Sequence, residues 1–372
     1  MPYYKQDKKN KDGLTQYIVK VNIGDKQIKR TTYGLSRAKD LENQLLREYT
    51  DRKINTSSMT LDRLFRDYNK NTGADIRRTT LDKRVTVYNQ HIAPYLGDKR
   101  LKDLDIQTLT EWKNIENSKG LSLVTRRNSF QVLKAVLNYG VKMEYINFNP
   151  VNKIDNFKDS YSEEKEIQFY TPAEFKRYIA QALEYATKKD FYDFYVFFMI
   201  AYFTGLRKGE IHALRWNCTN GDSLSVKKSI AQKLKGGDVE TPPKNKSSVR
   251  TIKMPKQLID CLSEHKARQQ KIIKDWNDTG FVCGYYKPLR DTSVDKENRR
   301  YARQRNLKRI RIHDFRHSHA SFLINNNISR LEVAHRLGHS TVEQTLKTYS
   351  HLFPNEEDKA VKLLEEIELL EI

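Results

Sequence analysis

The chain has few cysteines and no long apolar run. Its three cysteines, Cys218, Cys261 and Cys283, are odd in number and far apart, so they form neither a disulfide framework nor a Cys-x-x-Cys metal site. The longest apolar stretch, residues 194–203, is about half as long as a membrane-spanning helix of about 20 residues. The first residues, MPYYKQDKKN, contain no apolar signal region. We therefore expect a soluble, cytoplasmic protein with reduced thiols and no membrane partner.

Negative charge is scarce as well. The 372 residues include 68 Lys and Arg against 47 Asp and Glu, a formal net charge of +21. Such an excess favours a polyanionic partner, and an anionic membrane would also require an apolar anchor or a basic amphipathic helix. Neither is found, so nucleic acid is the expected partner. At about 150 residues per domain, the length predicts two or three domains.

The N-terminal residues 1–58 predict a small sheet followed by one helix. Apolar and polar residues alternate over 17–21 and resume over 27–33 after a Gly-Asp turn, which is typical of a β-hairpin. Helical spacing begins at Ser36. This segment has 13 Lys and Arg against 7 Asp and Glu, a net charge of +6. Its candidate DNA-binding residues are Lys20, Lys29 and Arg30.

Residues 59–155 predict a bundle of four amphipathic helices, and the charged, aperiodic run 156–166 predicts a linker. Beyond it the pattern is mostly helical, with a β-rich interruption at about 223–254. The expected fold class is therefore mainly α with small β elements (α+β). Basic pairs on the polar faces of the bundle suit contacts with a DNA backbone. The candidates are Arg77, Arg78, Arg126 and Arg127.

Four short motifs carry the candidate chemistry. Gly205 is a good helix stop, so Arg207 would lie at the start of the next helix, where backbone N–H groups also face an anion. His313 and Arg316 are three residues apart and share a helical face. Each motif is weak alone, since a helix corner with a solvated arginine explains the first one equally well. In chain order they are Thr204-Gly205-Leu206-Arg207 with Glu210, His313-x-x-Arg316-His317, Leu337-Gly338-His339-Ser340 and Tyr349-x-His351.

In order and approximate spacing, these motifs resemble the catalytic domain of the tyrosine recombinases, the phage integrase family. The N-terminal segment is similar, by pattern alone, to the arm-binding domain of integrases from conjugative transposons. The resemblance implies an arm-binding domain, a helical core-binding (SAM-like) domain, a linker, a mainly α catalytic domain with a β-hairpin, and a C-terminal tail. Their expected bounds are 1–58, 59–155, 156–166, 167–353 and 354–372.

The resemblance also implies a role for each candidate residue. Two guanidiniums can bind the non-bridging oxygens of a phosphodiester bidentately and stay charged, so the site needs no metal. A phenol has a pKa of about 10 and needs a neighbouring base in order to attack near pH 7. The implied roles are Tyr349 as nucleophile, Arg207 and Arg316 as clamp, His313 as base, His339 as a hydrogen-bond donor to the phosphate, and Glu210 as the group that orients Arg207 or His313.

A lysine on a mobile β-hairpin protonates the 5′-hydroxyl leaving group in this family. Residues 241–252 resemble that hairpin, with Lys244 at the usual place. Lys246 is two residues further on and would share a face with Lys244 in a strand, so it is the alternative acid or a DNA contact.

The family's chemistry implies how such a protein is used. A 3′-phosphotyrosine link at Tyr349 keeps the energy of the broken bond, so resealing requires neither ATP nor a cofactor. Recombination would need a homotetramer on two duplexes with core and arm sites, and would pass through a Holliday junction. We expect integration and excision of a mobile element in bacterial cytoplasm, with an excisionase and a DNA-bending host protein as partners.

The last residues, 355–372, change character. They have seven Asp and Glu against two Lys, and their apolar residues recur at threes and fours. This pattern predicts an amphipathic helix that covers its apolar face either on the catalytic domain of the same chain or on a neighbouring protomer.

Three alternatives remain open. The spacing of His313 and His317, with His319 nearby, also fits a metal-dependent nuclease. The same chemistry without a partner duplex would make a DNA-relaxing topoisomerase of type IB. A DNA-binding relative that has lost catalysis is the third alternative, although the full set of candidate residues argues against it.

Overall fold

The computed structural model describes residues 3–23, 26–158, 167–232, 237–241 and 246–350. The chain divides into two compact units, Met1–Glu163 and Glu164–Ile372. Outside the described residues lie Lys244, most of the proposed linker, His351 of the fourth motif and the C-terminal tail.

The first unit opens with a three-stranded antiparallel sheet and a helix. The elements are β1 (Tyr3–Lys9), β2 (Thr15–Ile23), β3 (Lys26–Tyr33) and α1 (Leu35–Ser57), and the strand order is β1-β2-β3. Val19 and Val21 of β2 are buried with Ala38 of α1, which closes one face of the sheet. The predicted hairpin and helix are confirmed, but β1 was missed. Most of β1 is exposed at the sheet edge, so it has little apolar alternation to reveal it.

The rest of the first unit is a helical bundle, as predicted. Its helices are α2 (Leu61–Thr72), α3 (Arg78–Val87), α4 (Ala93–Leu96), α5 (Ile106–Ser118) and α6 (Leu123–Lys142). A π-helical turn at Tyr88–Ile92 joins α3 to α4, so they correspond to one predicted helix. The side chains of Thr60, Asp105 and Ser122 cap α2, α5 and α6 by accepting backbone N–H groups.

The start of the proposed linker packs with this bundle. Phe157 is buried, and its ring makes edge contacts with Trp112 and Phe130. A single aromatic residue in a charged, aperiodic run has no periodicity that would reveal its burial.

The second unit is mainly helical. Its helices are α7 (Pro172–Lys189), α8 (Asp193–Thr204), α9 (Lys208–His212), α10 (Lys256–Ile272), α11 (Asp291–Gln304), α12 (Asp314–Asn325), α13 (Arg330–Leu337) and α14 (Val342–Tyr349). A capping box between Thr171 and Glu174 begins α7. The apolar helix α8 is buried on nearly all sides, and α7, α10 and α12 pack against it. No helix within the described ranges is long and apolar enough to cross a membrane.

The predicted β-rich interruption consists of short strands. They are β4 (Thr219–Asn220), β5 (Ser223–Val226), β6 (Ser229–Ala231), β7 (Val239–Thr241) and β8 (Arg250–Lys253), in sheets ordered β4-β5-β8 and β6-β7. Since β5 pairs with β8 and β6 with β7, the hairpin reverses between Ala231 and Val239. Residues 241–252, which resemble the lysine hairpin of the family, begin in β7 and end in β8.

Candidate active site

The corner between α8 and α9 positions Arg207. Gly205 ends α8 in the left-handed region with φ of 63°, and a Cβ there would lie 2.8 Å from Cδ2 of His319. Only glycine fits both the backbone conformation and this close approach. The chain then turns into α9, where the Glu210 carboxylate accepts from the Arg207 backbone N at 2.9 Å and from its Nη1 at 3.0 Å. Glu210 thus orients Arg207, one of the two options considered for it.

Glu210 has a second cationic partner in Arg250 of β8. Both side chains are buried, and Arg250 donates to the two carboxylate oxygens at 3.0 and 3.3 Å. Burial disfavours the Glu210 carboxylate, but the hydrogen bonds and charges of Arg250 and Arg207 outweigh it and hold its pKa below the ordinary value. Arg207, the second cation on Glu210, is 37% exposed.

Arg316 lies in the first turns of α12 and is buried. Its Nη1 donates to the Gly205 carbonyl oxygen at 2.8 Å, which joins the second motif to the first. Its Nη2 is buried without a hydrogen-bond partner among the described residues. Burial lowers the pKa of this guanidinium, and the charge of Arg207 adds to the effect. The arginine nevertheless stays protonated at neutral pH.

The third motif lies beside Arg207. Gly338 ends α13 with φ of 68°, and its carbonyl oxygen accepts from Nη2 of Arg207 at 3.2 Å. Nδ1 of His339 contacts the Thr345 hydroxyl at 2.7 Å, so Nε2 is the ring nitrogen that can bind another oxygen. Burial and the charges of Arg316 and Arg207 lower the pKa of His339 to about 4, so its imidazole is neutral at pH 7.

Tyr349 is the last residue of α14. It is only 1% exposed and lies in a small apolar cluster with Ile324, Val333 and Leu337. Burial raises the pKa of its phenol to about 12, although the charge of Arg316 opposes this shift. The histidine of its Tyr-x-His motif, His351, lies outside the described residues.

The imidazole that meets the phenol belongs to His317. Its Nδ1 lies 2.6 Å from the Tyr349 hydroxyl oxygen. His313, the predicted base, lies one turn earlier on the exposed side, with its ring edge-on to that of His317 at 5.3 Å between centroids. Partial desolvation and then the charges of His317 and Arg316 lower the pKa of His313 to about 4. Since positions i and i+4 share a helical face, spacing alone cannot tell which histidine reaches the phenol.

The third histidine of the metal-site alternative is engaged elsewhere. Nδ1 of His319 contacts the Tyr202 carbonyl oxygen at 2.9 Å, and its Nε2 accepts from Nε of Arg336 at 3.0 Å. Both ring nitrogens are therefore occupied, and His319 cannot join His313 and His317 around a metal ion. No cluster of three potential metal ligands occurs in the part of the chain that the structure describes.

The two lysine candidates follow β7 in the sequence. Lys244 is outside the described residues, and Lys246 begins a short 3₁₀ helix at Lys246–Ser248. The idea that Lys246 shares a strand face with Lys244 is therefore wrong, because the backbone at Lys246 is not extended.

The basic candidates of the first sheet divide between its faces. Lys20 and Lys29 are direct cross-strand partners on the face opposite the buried valines, and Lys20 lies over the Tyr4 ring at 4.2 Å. Arg30 pairs with Val19 and belongs to the other face, although it is exposed.

The basic candidates of the bundle lie at helix starts. Arg77 occupies the N-cap position of α3, and Arg78 is the first residue of this helix. Arg126 contacts the Asn117 side chain at 2.5 Å, and Nε of Arg127 donates to the Phe157 carbonyl oxygen at 3.0 Å. Arg127 thus links α6 to the backbone at Phe157, a contact that its sequence context does not reveal.

Comparison with known proteins agrees with this geometry. Residues 169–356, half of the chain, match the phage integrase family, and residues 60–160 match the phage integrase SAM-like domain. The chain belongs to the phage integrase family. It is a site-specific DNA recombinase of the tyrosine recombinase type.

Related sequences extend over most of the recombinase. It is 28% identical to the ICEBs1 integrase of Bacillus subtilis (strain 168) over 338 residues, which cover 89% of each chain. It is 27% identical to the tyrosine recombinase XerC-like protein of Caldanaerobacter subterraneus subsp. tengcongensis, with 96% of this chain and 97% of the relative covered.

Solved structures share the fold. The Tn1549 transposon integrase in complex with a circular intermediate DNA superposes with a TM-score of 0.65 at 20% identity, covering 83% of this chain and 99% of that one. A lambda integrase tetramer bound to a Holliday junction superposes with a TM-score of 0.57 at 18% identity, covering 91% and 96%.

Three residues that contribute to the recombinase site were not assigned these contacts from sequence. Arg250 binds Glu210, Thr345 binds His339 and His317 binds Tyr349. Thr345 is four residues before Tyr349 and six after His339, so helical spacing could have indicated its inward face. Arg250 follows a run of basic and small residues that is typical of a solvated turn, and nothing in that run indicates burial.

Replacing Arg250 by Gln should destabilise the second unit strongly. The buried Glu210 would lose its buried cationic partner, a change that typically costs about 3–5 kcal/mol. Lys253→Gln is the matched control, since Lys253 is exposed in the same strand and its loss should cost less than about 0.5 kcal/mol. Urea unfolding of both variants measures the difference. Adding Glu210→Gln to Arg250→Gln should recover part of the stability. If Arg250→Gln and Lys253→Gln lowered the stability equally, the pairing of Arg250 with Glu210 would be contradicted.

Proposed function

We propose that this recombinase cuts DNA by attack of the Tyr349 oxygen on a phosphodiester and holds the cut end as a 3′-phosphotyrosine. The observation that carries the proposal is the convergence of four motifs, which begin at Thr204 and extend to Tyr349, on one site. Arg316 binds the Gly205 carbonyl, Arg207 binds the Gly338 carbonyl, and Arg316 and Tyr349 are close enough to influence each other's pKa.

Arg207 and Arg316 form the phosphate clamp. Arg207 is partly exposed, and Arg316 has a buried guanidinium nitrogen without a partner among the described residues. An unpaired buried donor is costly, and a phosphate oxygen would satisfy it. Charge that develops on the non-bridging oxygens is then stabilised by fixed guanidiniums, so the reaction needs no metal ion.

Neutral imidazoles complete the phosphate side of the site. Nε2 of His339 donates to a phosphate oxygen, because Thr345 orients the ring through Nδ1. His313 lies beside the clamp, where desolvation and the charges of His317 and Arg316 lower its pKa and keep it neutral. We propose that His313 contacts the phosphate. The sequence predicted it as the general base. Lys244 protonates the departing 5′-oxygen, with Lys246 as the alternative.

The covalent link makes the reaction reversible without ATP, since the phosphotyrosine retains the energy of the broken phosphodiester. Recombination then takes four protomers and two duplexes through a Holliday junction. The lambda integrase tetramer bound to a Holliday junction, which has the same fold, supports this assembly.

The biological role we propose is integration and excision of a mobile element. The ICEBs1 integrase and the Tn1549 transposon integrase support it. The enzyme would act on chromosomal DNA in the cytoplasm, with the first sheet on arm sites and the bundle on core sites. An excisionase and a DNA-bending host protein would set the direction of the reaction.

Replacing Tyr349 by Phe should abolish covalent protein–DNA adducts while DNA affinity stays unchanged, because only the nucleophilic oxygen is removed. Adducts on nicked DNA are counted on denaturing gels, in buffer with EDTA and without ATP. Tyr202→Phe, which removes another buried phenol oxygen, is the matched control and should retain adduct formation. Adducts formed by Tyr349→Phe would refute the assignment of the nucleophile.

Replacing Lys244 by Ala should slow cleavage of ordinary DNA by about 10²–10⁴-fold, the usual contribution of a general acid. A DNA with sulfur at the 5′-bridging position should restore the rate, because a thiolate leaves without a proton. Lys246→Ala is the control. If sulfur rescues Lys246→Ala and not Lys244→Ala, Lys246 is the acid.

A protein that begins at Met59 should bind the core site normally and lose affinity for separate arm sites. The removed segment has a net charge of +6, so arm binding by the full chain should also fall steeply with salt. Gel-shift titrations at two salt concentrations measure both effects. Equal losses on core and arm DNA would contradict the proposed division of labour.

A further inference from the structure

The hydroxyl of Tyr349 lies within hydrogen-bond distance of an imidazole nitrogen. Nδ1 of His317 lies 2.6 Å from the phenol oxygen, and the two rings meet edge to face at 5.5 Å between centroids. A candidate general base must first lie within hydrogen-bond distance of the proton that it removes. His317 meets this condition.

A carboxylate supports the far side of the same imidazole. When Nδ1 accepts the phenol hydrogen bond, neutral His317 carries its own proton on Nε2, which lies 4.0 Å from Oδ1 of Asp314. Asp314 is buried and fixed by Arg311, whose backbone N donates at 2.7 Å and whose Nη2 donates at 2.8 Å. The 4.0 Å separation is longer than a hydrogen bond, so Asp314 acts on the imidazole through its charge and favours the imidazolium form.

The charges around the two neighbouring histidines differ in their balance. The ionisable groups that face His317 are Asp314, Arg311, His313 and Arg316, all in or beside α12, and Tyr349 of α14. Burial and the two arginines lower the pKa of His317, but Asp314 raises it. Asp314 is the largest charge effect on His317. Desolvation and the charges of His317 and Arg316 lower the pKa of His313 to about 4, and they outweigh the same Asp314 carboxylate there. Asp314 therefore favours a proton on His317 more than on His313.

We propose that His317, assisted by the charge of Asp314, is the catalytic residue that accepts the phenol proton of Tyr349. The inference rests on the proposed role of Tyr349 as nucleophile. The phenol O–H bond breaks, its proton binds Nδ1, and the electron pair left on oxygen forms the bond to phosphorus as the bond to the 5′-oxygen breaks. In resealing, the imidazolium returns the proton to the departing phenolate.

The test is single-turnover cleavage of nicked DNA by the full chain between about pH 5 and about pH 9. Wild-type cleavage should accelerate with pH and level off once His317 is neutral, below the ordinary histidine pKa of about 6.5. In His317→Asn, Oδ1 replaces Nδ1 as acceptor but cannot hold the proton. Its rate at pH 7 should fall by about 10²–10⁴-fold and should keep rising about tenfold per pH unit.

His313→Asn is the matched control, the same change one helical turn earlier. It should lower the rate but retain the levelling. Asp314→Asn should move the midpoint of the pH profile to lower pH, because the carboxylate no longer stabilises the imidazolium. This shift is a readout that a purely structural role would leave unchanged, and it remains available if His317→Asn does not fold.

Three results would overturn the proposal. One is a wild-type plateau retained in His317→Asn, the second is a plateau lost only in His313→Asn, and the third is an unmoved midpoint in Asp314→Asn. Tyr349→Phe is run alongside. If Tyr349→Phe still forms adducts, the proposed nucleophile is wrong. If Tyr349→Phe forms no adducts but His317→Asn cleaves DNA like the wild type, only the role of His317 is wrong.

Discussion

The carboxylate of Glu210 is shared between two guanidiniums, and most of the site depends on that sharing. A buried carboxylate is stable only when it is paired and hydrogen-bonded. Arg250 pairs with it from the interior and binds β8 of the β-hairpin to α9. A Cβ on Gly338 would lie 2.8 Å from Arg250, so the backbone that leads into His339 packs directly on this ion pair. The hairpin, the corner at Arg207 and the His339 loop are thus held by one interaction.

Basic residues serve two purposes in this protein, and the net charge does not distinguish between them. Some arginines bind groups of the protein itself: Arg250 binds Glu210, Arg127 binds the Phe157 carbonyl, and Arg336 binds His319. Other cations, such as Lys29 and Arg30, lie exposed on the first sheet. A net charge of +21 indicates a polyanionic partner. It does not identify the cations that meet that partner.

The elements that could be predicted from sequence have their own periodicity. The bundle helices and the apolar helix α8 repeat their buried residues often enough to be recognised locally. The edge strand β1 and the buried Phe157 lack such a pattern. Within the site, motif order indicated Arg207, Arg316, His339 and Tyr349, but the partner of each depends on packing between distant segments. His313 and His317 share a helical face, so only the structure separates the imidazole beside the phenol from the one beside the arginines.

The burial of Tyr349 has a consequence for the chromosomal DNA that such an enzyme contacts. A phenol with a pKa of about 12 is ionised in only about one molecule in 10⁵ at pH 7. A recombinase that slides along chromosomal DNA touches far more phosphodiesters than it is meant to break. With the proposed nucleophile covered and protonated, a passing encounter would leave the duplex intact. The low reactivity of one side chain would thus protect every sequence that is not a target.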